Sequence, residues 1–286
     1  MMEKPSKYAR HVLGLSGGRD SAALAVFMRQ TCPDLEIEYF FTDTGKELKE
    51  VYSFLGRLEG FLGKRIIRLN AARGFDFWLK EYNHFLPSPQ TRWCTRQLKL
   101  EPFKQWIRPS LKNGIKIISY VAIRSDEDHR EGMVTQDPNL KIVMPFRKHN
   151  IDKQGVIEIL ENSGLGLPEY YNWRSRSGCT FCFFQQKIEW VRLKQIHPTS
   201  FEEAKRYEKT AISHGSPFTW TKGESLEDLE KPDRIAEIEK DFEIRRQREL
   251  ARRITNPLRP FPTGVNDIDD LYNEDEGGGA CLVCHK

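Results

Sequence analysis

The feature that most constrains this chain is the alternation, through its first third, of short apolar runs with segments of helical period. His11–Leu15 is an apolar run leading into Ser16-Gly17-Gly18. Ser21–Gln30 contains Ala-Ala-Leu-Ala-Val-Phe-Met and reads as a buried helix. Glu36–Thr42 is a second strand, and Leu48, Val51, Leu55 and Leu58 recur at helical spacing before a third strand at Arg65–Leu69. Helical patterns follow at Phe75–Tyr82 and Gln97–Ile107, then a continuous apolar strand at Ile115–Ile123. Strands this apolar, separated by helices, predict an α/β fold: a parallel sheet with helices on both faces. A ligand of such a sheet sits beyond the carboxyl ends of its strands.

After about Ile142 the pattern changes. Helices are expected at Asp152–Asn162, Ile188–Gln195, Phe201–His214 and along the charged stretch Leu226–Ile254. The reading is an α/β domain over 1–145, a mainly helical part with a cysteine knuckle over 146–255, and a flexible tail over 256–286. With 286 residues and 38% hydrophobic content the chain can bury a sizeable core. Its 45 Lys and Arg against 41 Asp and Glu are too even to imply a polyanion partner on their own. The sequence has no apolar run of the roughly 18 residues that a spanning helix needs, and Met1–Tyr8 is polar. The expectation is a cytoplasmic protein without a membrane partner; oligomeric state is not legible.

Ser16-Gly17-Gly18-Arg19-Asp20-Ser21 lies between a strand and a helix start. Adjacent glycines bring backbone N–H groups close to a ligand, and the following helix offers donors and a positive dipole end. Ser16 and Ser21 add hydroxyls, so the loop suits a pyrophosphate. It is neither the G-x-x-x-x-G-K-[ST] nor the G-x-G-x-x-G pattern. Two further polar clusters, Thr42-Asp43-Thr44-Gly45 and Arg124-Ser125-Asp126-Glu127, each follow a predicted strand. All three converge on one sheet edge.

These motifs together resemble the PP-loop ATP pyrophosphatase superfamily, and within it the phosphoadenosine phosphosulfate (PAPS) reductase-like family. Ser-Gly-Gly-x-Asp-Ser resembles the PP-loop itself, and Asp43-Thr44-Gly45-Lys46-Glu47 the family's D-T-G element. Ile123–Glu127 through Arg130 resembles G-I-R-x-D-E-x-x-R, with Ala122 in place of glycine. Cys94 through Lys99 to Pro102 resembles C-x-x-x-x-K-x-x-P, and Met144-Pro145-Phe146 the element preceding the C-x-x-C segment. The resemblance implies an adenine nucleotide α-hydrolase-like fold. It implies that Ser16, Gly17, Gly18, Asp20 and Ser21 hold pyrophosphate or phosphosulfate, that Asp43, Thr44 and Gly45 line the adenosine side, and that Arg124 reaches phosphate. Arg19 stands where many relatives have lysine, exchanging a point charge for a planar fork.

Six cysteines stand at 32, 94, 179, 182, 281 and 284, two pairs of them spaced C-x-x-C. Without a secretory signal such pairs read as metal, cluster or redox sites rather than disulfides. Cys179 and Cys182 form a knuckle; the resemblance supplies Cys94 as third ligand, with Cys281 or Cys284 as fourth. Three occupancies are open: a [4Fe–4S] cluster, taken first, zinc, or redox-active thiols. Where relatives carry two adjacent cysteines this chain has Trp93-Cys94. The tail Ala280-Cys281-Leu282-Val283-Cys284-His285 lacks the glutamate and glycine that flank the attacking cysteine of true sulfonucleotide reductases. Ligation or sulfur relay by Cys281 and Cys284 is preferred to direct attack on PAPS. Cys32 reads as packing.

The resemblance thus implies an enzyme that binds ATP (or PAPS) with Mg²⁺, Asp20 and Arg124 being catalytic. Its ATP reading is cleavage to AMP, or an adenylated substrate, and pyrophosphate, linked to sulfur transfer. The partners implied are a sulfur donor protein, or nucleic acid and a defence system. In the alternative, a reductase with Cys281 or Cys284 as nucleophile, the partner is thioredoxin. A third possibility is a subunit that binds nucleotide without turnover. Arg245, Arg246, Arg248, Arg252 and Arg253 read as a solvated helix face, with nucleic-acid contact as the sharper alternative. Trp173, Arg174 and Arg176 precede the knuckle, where they shape a substrate entrance or pack in the core.

Overall fold

The computed structural model describes residues 9–127, 130, 135–176 and 178–255, the last four by backbone alone. These residues divide into two compact units, each built from two stretches of chain: residues 9–74 with 94–169, and residues 75–93 with 170–255.

The first unit is built on a parallel sheet of five strands among the described residues, in the order β3-β2-β1-β4-β5. They are β1 (Arg10–Leu15), β2 (Ile37–Asp43), β3 (Ile67–Asn70), β4 (Ile117–Tyr120) and β5 (Leu140–Val143). Every neighbouring pair is parallel, with Leu13 opposite both Tyr39 and Tyr120. The α/β class and the parallel sheet expected from the sequence are therefore present. The fifth strand is not marked in the sequence, because Leu140–Val143 is only four residues long and alternates too briefly to separate from a loop. The predicted strand Ile115–Ile123 is shorter, at Ile117–Tyr120, its flanks remaining outside the ladder.

The sequence forms helices where its apolar spacing is helical. α1 (Arg19–Thr31) buries Ala22 through Val26 and Met28 and packs against α5 (Lys153–Asn162), which contributes Val156, Ile157 and Leu160. Asp152 caps α5, its carboxylate accepting from Gly155 N at 2.9 Å. α2 (Lys49–Leu62) ends at Gly63, whose φ of 63° suits a helix terminator. α4 (Glu101–Lys112), following α3 (Phe75–Glu81) of the second unit, covers the opposite face of the sheet. There Val12, Phe40, Leu69, Ile117 and Leu140 pack with Phe103 and Ile107, and Phe40 stacks on Phe103 with centroids 4.9 Å apart. Burying each such side chain contributes about 1.5–3 kcal/mol. α5 packs on α1 within the first unit, whose second stretch covers residues 94–169.

The second unit contains α3, α6 (Lys187–Ile196), α7 (Pro198–Ser213) and α8 (Pro232–Thr255). Its core is aromatic: Phe181 meets Phe75, Tyr207 and Trp220 at 5.2–5.4 Å between centroids. The buried Glu208 carboxylate accepts from Trp220 N at 2.8 Å and Leu226 N at 2.6 Å, anchoring the turn after α7. No helix among the described residues is long and apolar enough to cross a membrane.

Candidate functional site

At the carboxyl edge of the sheet, β1 runs into Ser16-Gly17-Gly18 and α1 begins at Arg19. Gly17 adopts φ 72°, and a Cβ there would lie 2.5 Å from Val51 Cγ1, so only glycine fits the turn. Gly18 precedes α1 in an extended conformation, without a side-chain cap. The helix N-terminus therefore presents its positive dipole end at the loop. Ser16 and Ser21 are held together across it: Ser16 N donates to Ser21 Oγ at 3.1 Å, the two hydroxyls lie 3.2 Å apart, and Gly18 N donates to Ser16 Oγ at 3.3 Å.

Two of the three predicted polar clusters meet directly. Arg124 Nη1 donates to Asp20 Oδ1 at 3.0 Å, linking the turn after β4 to the first turn of α1. The same guanidinium grips Asp126 through Nε at 2.9 Å and Nη2 at 3.2 Å. Burial opposes its charge, but Asp20, Asp126 and Glu127 outweigh that and hold Arg124 protonated above its ordinary range. Its backbone is set by Glu127, whose carboxylate accepts from Arg124 N at 3.2 Å and from Arg130 Nη1 at 2.9 Å. Arg147 Nη2 donates to the Glu127 and Arg130 carbonyls, closing the turn. Arg19, expected beside phosphate, is buried at 3% exposure.

The third cluster is organised on itself. Asp43 Oδ1 accepts from Gly45 N at 2.9 Å and from Tyr52 OH at 2.7 Å. Thr44 donates to Glu47 through its backbone N at 3.2 Å and its hydroxyl at 2.8 Å. Burial pushes the Glu47 carboxyl above its ordinary range, partly opposed by the charge of Lys99 and the Thr44 hydrogen bond. Burial and the neighbouring carboxylates likewise raise Tyr52.

Between the first and third clusters opens a cleft of about 550 Å³, counted to its mouth. Gly14, Leu15 and Ser16 from the end of β1, Phe41 and Thr42 from β2, Glu47, and Thr95, Lys99 and Phe103 line it. The mixture of apolar wall with few polar groups suits a small-molecule ligand. Lys99 stands on a π-helical turn, Arg96–Leu100, where Glu101 N bonds to Arg96 O. Pro102, next in the chain, has no N–H for the α-helical bond to Leu98, which accounts for the local widening. Sequence reasoning assigns none of Glu47, Tyr52, Thr95 and Lys99 to the site. Part of the signal is there, since Glu47 and Lys99 fall inside the D-T-G and C-x-x-x-x-K elements.

Residues 10–135 match the model of the phosphoadenosine phosphosulfate reductase domain family. Over this segment the chain is similar to that domain family. The matched segment carries all three polar clusters and the cleft. Two uncharacterized proteins of Methanocaldococcus jannaschii are similar over more of the chain. One is 24% identical over 207 residues, 71% of this chain and 48% of that protein. The other is 26% identical over 201 residues, 67% and 40% of the respective lengths. The chain spans less than half the length of either. Among solved structures it is similar to the phosphate complex of PAPS reductase from Candida auris, with TM-score 0.47, 11% identity, and 60% of this chain and 82% of that one covered. It is also similar to the U34-tRNA thiolase NcsA from Methanococcus maripaludis with its [4Fe–4S] cluster, with TM-score 0.42, 15% identity, and 71% and 73% covered.

Of the expected metal ligands, Cys94, Cys179 and Cys182 fall among the described residues. No group of three or more His, Cys, Asp or Glu there is placed to hold a metal ion. Cys94 belongs to the first unit and Cys179 and Cys182 to the second, where the pair is not a disulfide. Cys281, Cys284 and His129 lie outside the described residues.

Proposed function

We propose that this chain is a nucleotide enzyme that cleaves ATP between its α and β phosphates, giving pyrophosphate and AMP or an adenylated substrate. The observation that carries this reading is the Asp20–Arg124 contact at 3.0 Å beside the uncapped start of α1. It joins the two elements that must act on one polyphosphate. In this reading the Ser16 and Ser21 hydroxyls and the loop backbone bind the leaving pyrophosphate, and Gly17 and Gly18 give it close approach. Arg124 turns from Asp20 and Asp126 toward the phosphates, offering charge where negative charge accumulates. The cleft walled by Phe41, Thr42, Glu47 and Lys99 receives the nucleoside, with Asp43, Thr44 and Gly45 at its rim.

Asp20 and Asp126 are hard oxygen donors of the kind Mg²⁺ uses, one or two carboxylates completed by substrate phosphates. When bound, the ion neutralises the polyphosphate and assists its departure. The adenylated oxygen then becomes a leaving group, and replacement by sulfur is the step we assign downstream, with a sulfur donor protein and a nucleic-acid acceptor as partners.

The family match over residues 10–135 favours a second reading, a sulfonucleotide reductase that releases sulfite from PAPS using Cys281 or Cys284 and thioredoxin. Incubation of the full chain with ATP or PAPS, anaerobically and with Mg²⁺, separates the two. Pyrophosphate from ATP, abolished in Asp20→Ala, is the expected result. Sulfite from PAPS without ATP cleavage would establish the reductase instead.

A further inference from the structure

Arg147 has no part in the motifs or in the nucleotide reading, yet its side chain ends on the backbone that carries Arg124. It stands on a short helix, Pro145–Lys148, between β5 and α5. The helix is seated by Phe146, which is at 0% exposure and meets Phe27 of α1 edge-on, with centroids 6.1 Å apart. The chain leaves it through Asn150, in the left-handed region at φ 54°, and Ile151 N returns to Phe146 O at 2.9 Å. Packing on α1 therefore fixes where residues 146–151 lie.

From that seat the segment holds the Arg124 turn at two places. Ser125 N donates to Ile151 O at 3.0 Å. Arg147 Nη2 carries two hydrogens, and it donates both to the Glu127 carbonyl, at 2.8 Å, and to the Arg130 carbonyl. Between these points the Glu127 carboxylate accepts from Arg124 N and from Arg130 Nη1. A charged donor makes such bonds stronger than neutral ones. They secure the backbone at Arg124, whereas the hydrogen bonds of its guanidinium run to Asp20 and Asp126. The base of the side chain is thus fixed independently of where its charged end points.

We propose that Arg147 is a positioning residue: it clamps the turn from which Arg124 projects, and so sets how well that guanidinium meets an anionic ligand. The kinetic consequence rests on the reading of Arg124 as the group that meets the phosphates of ATP. Charge offered where negative charge accumulates acts on the chemical step, and a misplacement of about 1 Å can cost about 10²-fold. The clamp itself stands on the hydrogen bonds and not on ATP.

The test joins NMR and kinetics on the full chain. With ¹⁵N-arginine labelling, the Arg124 Nε–Hε signal is assigned by its loss in Arg124→Lys. The Arg234 signal, from a guanidinium bonded to Glu224 in the second unit, is the reference. Arg147→Met keeps the apolar stem and removes the donors. It is expected to shift the Arg124 signal and leave that of Arg234 in place. It should also lower kcat for pyrophosphate release from ATP about tenfold or more, with KM changed less than about threefold. Arg147→Lys, whose ammonium still donates to carbonyls, should recover most of both effects. An unmoved Arg124 signal, or a wild-type kcat, in Arg147→Met overturns the proposal. If that variant does not fold, or moves Arg234 as well, Arg147→Gln must displace the Arg124 signal alone or the proposal falls. Absence of ATP cleavage by the wild-type chain, with the Arg124 signal still displaced in the variant, removes the ATP reading and keeps the clamp. Cleavage undiminished in Arg147→Met with the signal unmoved does the reverse.

Discussion

Gly17 shows how a single residue sets the site. Its φ of 72°, and the 2.5 Å that would separate a Cβ at this position from Val51 Cγ1, leave no room for a side chain. Gly17→Ala should cost about 1–3 kcal/mol in urea unfolding and abolish nucleotide binding by calorimetry. Adding Val51→Ala should recover part of the stability, because the clash is relieved while the unfavourable φ remains. Glu47 makes a prediction about pH. Burial raises its pKa in the folded state above the unfolded value, so the native chain binds this proton more tightly than the unfolded one. Stability from this group is greatest below the ordinary carboxylate range and falls as pH rises through the folded value. In urea titrations from acid to neutral pH, Glu47→Gln should remove that component of the slope. An unchanged slope would mean that Lys99 and the Thr44 hydrogen bonds already compensate the charge.

Among the elements, α4 and the π-helical turn before it do two jobs. The turn carries Lys99 into the cleft, and α4 supplies Phe103 to both cleft and core. Phe103→Ala is expected to lower stability by about 3–5 kcal/mol, because it empties the contact with Phe40. It should also weaken nucleotide binding, since the same ring is a cleft wall. In the second unit, Glu208→Ala strands the N–H groups of Trp220 and Leu226 and should cost about 1–3 kcal/mol, read by loss of near-ultraviolet dichroism on mild heating. The helical period of Gln97–Ile107 is legible in the sequence, but the wide turn at Arg96–Leu100 is not. A five-residue change of pitch follows from where the backbone bonds go, and apolar spacing hardly registers it.

For the whole molecule, the decisive fact is that neither unit is one continuous stretch of chain. Residues 75–93 join the C-terminal helices, and α5, well past 145, covers α1. A fragment ending at 145, where the composition changes, leaves the apolar face of α1 without Val156, Ile157 and Leu160. That fragment should keep helical far-ultraviolet dichroism yet lose protected amides in hydrogen exchange, whereas one ending at 169 should protect α1 better.

The sequence by itself determined the parallel α/β sheet, the strand–loop–helix at Ser16–Ser21 and the placing of Asp43 and Arg124 at one edge. Each follows from local periodicity or from the rule that parallel strands end on the same side. Packing brought Arg124 against Asp20 and buried Glu47 near the charge of Lys99. It also left Cys94 in a different unit from Cys179 and Cys182. These are relations between residues far apart in the chain, set by how strands and helices pack, and the spacing of residues along one segment carries no record of them.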